Sequence, residues 1–160
     1  EAEKVLSALV VEASQGSRVA DLYCGVGTFA LPLAAAGAKV MAVDGESAAI
    51  AALAGAAGTA GFGGQVMAAQ RDLVRQPMAA AEFRRIETIV FDPPRAGAAA
   101  QAEEIAQTDA ARVVAVSCNP MTFARDALTL TEGGYTLERI TPVDQFVWSG
   151  HVELVAVFSR

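Results

Sequence analysis

The residues able to do chemistry fall in short clusters at the ends of apolar runs. The first is Asp21-Leu22-Tyr23-Cys24-Gly25-Val26-Gly27-Thr28-Phe29-Ala30. Gly25 and Gly27 let the backbone turn sharply and approach a ligand, and a helix starting near Thr28 offers free N–H groups to it. The spacing Gly25-x-Gly27-x-x-Ala30 fits the dinucleotide fingerprint, with Asp44 at the end of the next apolar run as an acceptor for ribose hydroxyls. Asp21 argues against a dinucleotide, because a carboxylate just ahead of the glycines repels a pyrophosphate and pairs with an ammonium. S-adenosylmethionine is cationic at sulfur and at its amine and carries a ribose diol for Asp44. The turn therefore favours that methyl donor over NAD, and a turn holding no ligand is the third reading.

Two more clusters extend the same cleft. Asp72, after a third apolar run, can meet an adenine amine or cap a helix, and both readings stand. Asp92-Pro93-Pro94-Arg95 follows the buried run Ile89-Val90-Phe91. Its prolines fix an extended loop without N–H donors and leave Asp92 directed at the cleft. Adenine amino-methyltransferases place an aromatic after a similar Pro-Pro to hold a flipped base. Arg95 stands there in this chain, which disfavours an exocyclic-amine target.

Ser117-Cys118-Asn119-Pro120 couples a thiol to a helix start, with Asn119 as N-cap and Pro120 as first helical residue. A helix dipole lowers the pKa of a thiol placed there, so Cys118 is a candidate nucleophile. A small buried hydrophobe is its other reading, and is the better one for Cys24. His151 and Glu153 share one face of a strand, and an acid opening an apolar strand needs a task or a partner. The single histidine reads as a structural hydrogen-bonding group ahead of a catalytic one, and Phe146 and Trp148 as core or loop anchors.

These clusters need elements to hold them. The chain has 160 residues, 53% of them apolar, and a net charge of −6. That length suits one domain, which buries roughly 70% of its unfolded surface without disulfide staples. Cys24 and Cys118 form neither a disulfide framework nor a metal-ligand pattern, which fits a reducing cytoplasm. No ~20-residue apolar span and no basic-then-apolar leader is found. The acidic balance argues against gripping nucleic acid by bulk charge alone. Glu1 lies inside a helical pattern, so the chain is expected to start partway through a longer protein. β-Branched runs at 18–22, 39–43, 65–69, 86–91 and 112–117 alternate with helical stretches near 28–36, 46–57, 72–83, 98–107 and 120–132. Residues 135–143 and 152–159 follow as two strands with no helix between them. The pattern predicts an α/β fold, a Rossmann-like open sheet of about seven strands. It should be mostly parallel, with an antiparallel C-terminal strand, and carry helices on both faces.

Four motifs in this order resemble the RNA uridine-5-methyltransferase family: Asp21-Leu22-Tyr23-Cys24-Gly25-x-Gly27, Asp92-Pro93-Pro94-Arg95-Ala96-Gly97, Ser117-Cys118-Asn119-Pro120 and His151-Val152-Glu153. The resemblance implies an S-adenosylmethionine-dependent catalytic domain acting on a uridine of tRNA or rRNA. Cys118 would be the nucleophile and Glu153 the base. Asp21, Tyr23, Gly25, Gly27, Thr28, Asp44, Asp72 and Asp92 would bind the cofactor, with no metal and no membrane involved. Family members carry further RNA-binding domains ahead of this one, so the RNA partner is expected to need residues outside the chain. Where the family often has Asp-x-Phe-Pro, this chain has Val147 in place of the proline, followed by Trp148.

Overall fold

The computed structural model describes residues 2–144 and 152–160. In chain order the elements are α1 (Ala2–Ala13), β1 (Arg18–Leu22), α2 (Ala30–Ala35), β2 (Lys39–Asp44), α3 (Ser47–Thr59) and β3 (Val66–Gln70). A 3-10 turn (Ala80–Phe83) leads to β4 (Thr88–Phe91), α4 (Ala99–Ile105), β5 (Arg112–Ser117), α5 (Pro120–Glu132), β6 (Thr136–Asp144) and β7 (Val152–Ser159). The seven strands form one sheet in the order β3-β2-β1-β4-β5-β7-β6. Only β7 is reversed, pairing antiparallel with both β5 and β6. This is the predicted architecture, including the antiparallel strand at the end.

Strand alternation sends side chains to two separate cores. Val19, Val40, Val114 and Val157 meet Leu6 and Val10 of α1, Leu33 of α2 and Leu53 of α3 on one face. Ala20, Leu22, Ile89, Val113 and Phe158 meet Ile105 of α4 and Phe123 and Leu130 of α5 on the other. The Phe123 and Phe158 rings lie 6.5 Å apart. Asp21 falls on the α1–α3 face by the same alternation, a polar residue among apolar neighbours.

Two expected helices are corrected. The stretch near 28–36 is helical only over Ala30–Ala35, because residues 25–29 are spent in the glycine turn. The stretch 72–83 is not a helix apart from the short 3-10 turn at Ala80–Phe83. Its first turn forms, with the Gln76 N–H donating to the Asp72 carbonyl at 2.8 Å. Pro77 then supplies no N–H and disfavours helical geometry in the residue before it. Side chains hold the connection instead. Arg71 donates to the carbonyls of Gln76 and Pro77 and pairs with Glu82 at 2.7 Å. The fully buried Gln101 of α4 accepts from the Met78 N–H at 2.9 Å and donates to its carbonyl at 3.0 Å. Smaller differences, such as β4 starting at Thr88 and not at 86, fall at element ends.

Gln101→Leu keeps the side-chain volume and leaves both Met78 backbone groups buried without partners. At about 1–3 kcal/mol for each orphaned group, the variant should lose about 2 kcal/mol or more of stability. A lower urea midpoint at unchanged slope would register it, and an unchanged midpoint would show that the connection does not depend on Gln101.

Candidate active site

Parallel strands bring their carboxyl ends to one edge of the sheet, and four acidic residues meet there. Asp21 belongs to β1 and Asp44 ends β2, while Asp92 follows β4 and Glu153 is the second residue of β7. Asp21 is 0% exposed and neither carboxylate oxygen has a hydrogen-bond partner. Burial pushes its pKa well above the ordinary carboxylate value, and the charges of Asp92 and Asp44 add to the rise. The Ala30 N–H acts the other way, without reaching hydrogen-bond geometry to either oxygen. Asp92 is raised to about 7, chiefly by burial and then by the charge of Glu153. Burial also raises Glu153, which is half-buried.

The glycine turn is built on Asp44. Its Oδ2 accepts from the Gly25 N–H at 2.9 Å and its Oδ1 from the Glu46 N–H at 2.8 Å. One lone pair on each oxygen is left for a ligand. Gly27 has φ +99°, and a Cβ there would run into Leu53 of α3. Only glycine lets the turn sit this close to the helix. Tyr23 takes φ 60°, and burial, with the charges of Asp126 and Asp72, pushes its phenol up to about 12. It therefore stays protonated at neutral pH, able to donate a hydrogen bond.

A cleft of about 460 Å³ opens over these strand ends. Tyr23, Asp44, Asp72 and Asp92 all line it. So do Leu73, Val74 and Glu46, which sequence reasoning does not single out. The apolar pair Leu73-Val74 directly after Asp72, in a stretch broken by Pro77, is the signal that could have found them. Asp72 caps a single turn and not the expected helix, its Oδ1 accepting from the N–H groups of Val74 and Arg75 at 3.1 Å each. Thr28 and Gly27 line a neighbouring hollow of about 470 Å³ against α1, where the Ser7 hydroxyl donates to the Thr28 carbonyl at 3.1 Å.

Cys118 and Glu153 lie at the same edge of adjacent strands. Ser117, the last residue of β5, faces Leu154 of β7. Cys118 directly follows the one and Glu153 directly precedes the other. Both cysteines are free thiols. Cys24 is buried, and burial together with the charges of Asp21 and Asp44 pushes its thiol pKa up, which keeps it unreactive. Phe146, Val147, Trp148 and His151 lie outside the described residues. Among the described residues no cluster of His, Cys, Asp and Glu suits a metal ion, and no helix is long and apolar enough to cross a membrane.

A glycine turn, acidic strand ends and a reversed seventh strand define a class: α/β domains that hold a nucleotide-like ligand over their strand ends. The fold is shared with magnesium protoporphyrin IX methyltransferase from Synechocystis PCC 6803, at a TM-score of 0.74 and 20% identity over 99% of this chain and 77% of that one. The tRNA (uracil-5-)-methyltransferase family matches residues 2–160, and the chain belongs to that family. The Pyrococcus abyssi tRNA (uracil-54, C5)-methyltransferase, solved with S-adenosyl-L-homocysteine, superposes at a TM-score of 0.87 with 30% identity, over 98% of this chain and 38% of that one. A Caulobacter vibrioides protein described as an uncharacterized RNA methyltransferase is 54% identical over 99% of this chain and 38% of its own length. The 23S rRNA (uracil(1939)-C(5))-methyltransferase RlmD of Vibrio vulnificus is 37% identical over 99% of this chain and 37% of its own length. The chain thus spans about two fifths of the length of these curated relatives.

The raised Asp92 carboxyl makes stability depend on pH. Between the ordinary carboxylate value near 4 and about 7, the folded protein keeps a proton that the unfolded chain has released. Stability is therefore lost as pH rises through that window. Each pH unit of the window costs ~1.4 kcal/mol, so Asp92→Asn should be about 2–4 kcal/mol more stable than the parent at pH 8 and about equal to it near pH 4. Urea unfolding at the two pH values checks this, and equal stabilities at pH 8 would show that Asp92 is not buried in this way.

Proposed function

We propose that the chain is the catalytic domain of an enzyme that methylates carbon 5 of a uridine in tRNA or rRNA, using S-adenosylmethionine and a covalent Cys118–uracil intermediate. The observation that carries this reading is the pairing of Ser117 with Leu154, which leaves Cys118 and Glu153 as the next residues at the same edge of two adjacent strands, with Asp92 lining the cleft. Family membership and the relatives named above support it.

The cleft suits the proposed cofactor. A buried carboxylate without a hydrogen-bond partner calls for a cation, and Asp21 would meet the amino group. Asp44 would take the ribose hydroxyls while Gly25 and Gly27 keep the backbone close. Tyr23, Thr28, Asp72 and Asp92 would complete the contacts, with Asp72 toward the adenine amine. S-adenosylmethionine bound there supplies an electrophilic methyl group for carbon 5. The same carboxylates repel a pyrophosphate, which disfavours a nicotinamide dinucleotide.

The protein's own residues do the rest. Carbon 5 of uracil is a weak nucleophile. Cys118 thiolate adds to carbon 6, and the ring becomes an enolate whose carbon 5 is nucleophilic. Once carbon 5 has taken the methyl group, Glu153 removes the carbon 5 proton, and the electron pair left behind expels the thiolate and restores the ring. A uridine in folded RNA must first be extruded to reach Cys118. RNA-binding residues outside this chain, in a cytoplasmic enzyme, would supply the grip that a net charge of −6 does not.

The division of labour gives the test, run on the full-length enzyme with labelled RNA and S-adenosylmethionine on a denaturing gel. Glu153→Gln should allow addition and methyl transfer but block proton removal, leaving methylated RNA bound to Cys118. Cys118→Ala should give neither adduct nor product, and the double variant should match it. An adduct in Cys118→Ala would move the nucleophile elsewhere. An active Glu153→Gln enzyme without adduct would move the base, with His151 the next candidate.

A further inference from the structure

Side chains from the start of α5 grip the loop that follows β4. The Arg95 carbonyl accepts from Asn119 Nδ2 at 2.9 Å and from Thr122 Oγ1 at 3.2 Å. The Ala96 carbonyl accepts from Arg125 Nη2 at 3.1 Å. The Ala98 N–H donates to Asp126 Oδ2 at 2.7 Å, while Asp126 Oδ1 accepts from Arg125 Nε and Nη2 at 2.9 and 2.8 Å. At the far end of the loop, the Asp92 N–H donates to the Leu22 carbonyl at 3.2 Å. Gly97 has φ +77°, and a Cβ there would lie 2.8 Å from Asp126 Oδ2 and 2.9 Å from Thr122 Cβ. The loop backbone is therefore pressed against the side chains of α5.

Asp126 is 2% exposed, whereas its partner Arg125 is half exposed. Burying a carboxylate is costly, and neither residue lines the cleft. Asn119 also caps α5, accepting from the Met121 N–H at 3.1 Å, and it directly follows Cys118. The segments bearing Asp92 and Cys118 are thus joined through α5 as well as through the sheet.

We propose that Asp126 is a positioning residue: with Arg125 it holds the 95–98 loop on α5, and so sets how deeply Asp92 is seated beside Glu153 and Cys118. The inference rests on the function proposed above for its meaning, but its geometry can be tested without RNA. The titratable groups about Asp92 are Asp21 on β1, Glu153 on β7, and Tyr23, Asp44 and Asp72 around the cleft. If the loop lifts, Asp92 gains water and its carboxyl titrates closer to the ordinary value.

The test reads the Asp92 carboxyl by carbon-13 NMR titration in the folded protein. Asp126→Asn keeps the shape and removes the charge that binds Arg125 and Ala98. Gly97→Ala pushes on the same contact from the loop side. Both should move the Asp92 midpoint downward from about 7. In the full-length enzyme both should also lower kcat about tenfold or more, an effect that saturating S-adenosylmethionine does not restore. Thr122→Val, which loses one bond to the loop, should give a smaller shift in the same direction and serves if Asp126→Asn does not fold. An Asp92 midpoint equal to the parent's in the folded variants overturns the positioning role. The parent's own methyl transfer decides the proposed function separately.

Discussion

Four carboxyl groups converge where β1, β2, β4 and β7 reach one edge of the sheet, and the rest of the molecule is arranged around the cost of keeping them there. Like charges in a low-dielectric site cannot all ionise without a counterion or a proton. Asp44 is neutralised in part by backbone N–H groups and in return fixes the glycine turn. Asp92 holds its proton up to about neutral pH. Asp21 has no hydrogen-bond partner on either oxygen. A hydrophobic protein interior does not keep an unpartnered carboxyl for stability. It is understandable as the receiving half of a contact with a cation.

The same constraint shapes the chemistry proposed for the other half of the site. Glu153 must be a base strong enough to take a proton from carbon 5, and its burial, which raises its pKa, pushes it that way. Its charge in turn helps to keep Asp92 protonated. Asp92, Glu153 and Cys118 come from three different segments, so their spacing depends on strand register and on how the 92–98 loop is docked. The register is fixed by two apolar faces, since a slip of one residue on β7 would exchange Val155 and Val157 with Leu154, Ala156 and Phe158 between the two cores. The docking is fixed by side-chain bonds from α5.

The fold is readable from sequence because periodicity and strand ends both speak locally. Alternation of β-branched runs with alanine-rich helices implies seven strands and a reversed last one, and the motifs at strand ends locate the cleft residues. The 72–83 stretch misleads because its first turn is truly helical. What ends it is Pro77, and what replaces it is Gln101 and Arg71 reaching from elsewhere. Glu46, Leu73 and Val74 escape for a similar reason: a loop residue's part in a cleft depends on how the loop folds back. In the sequence, Asp126 is one more helical acid. Its burial against the Ala98 N–H appears only once the loop is in place.

If the cleft keeps protonated carboxyls ready for a cationic methyl donor, binding of that donor must displace protons. Calorimetric titration of the protein with S-adenosylmethionine near pH 6.5, in buffers of different ionisation enthalpy, measures the protons exchanged on binding. Net release of up to about one proton is expected from Asp92, which is raised to about 7 and ionises against the bound cation. A smaller release is expected with S-adenosylhomocysteine, which lacks the sulfonium charge. Binding of S-adenosylmethionine with no proton release, or with uptake, would contradict this picture of the site.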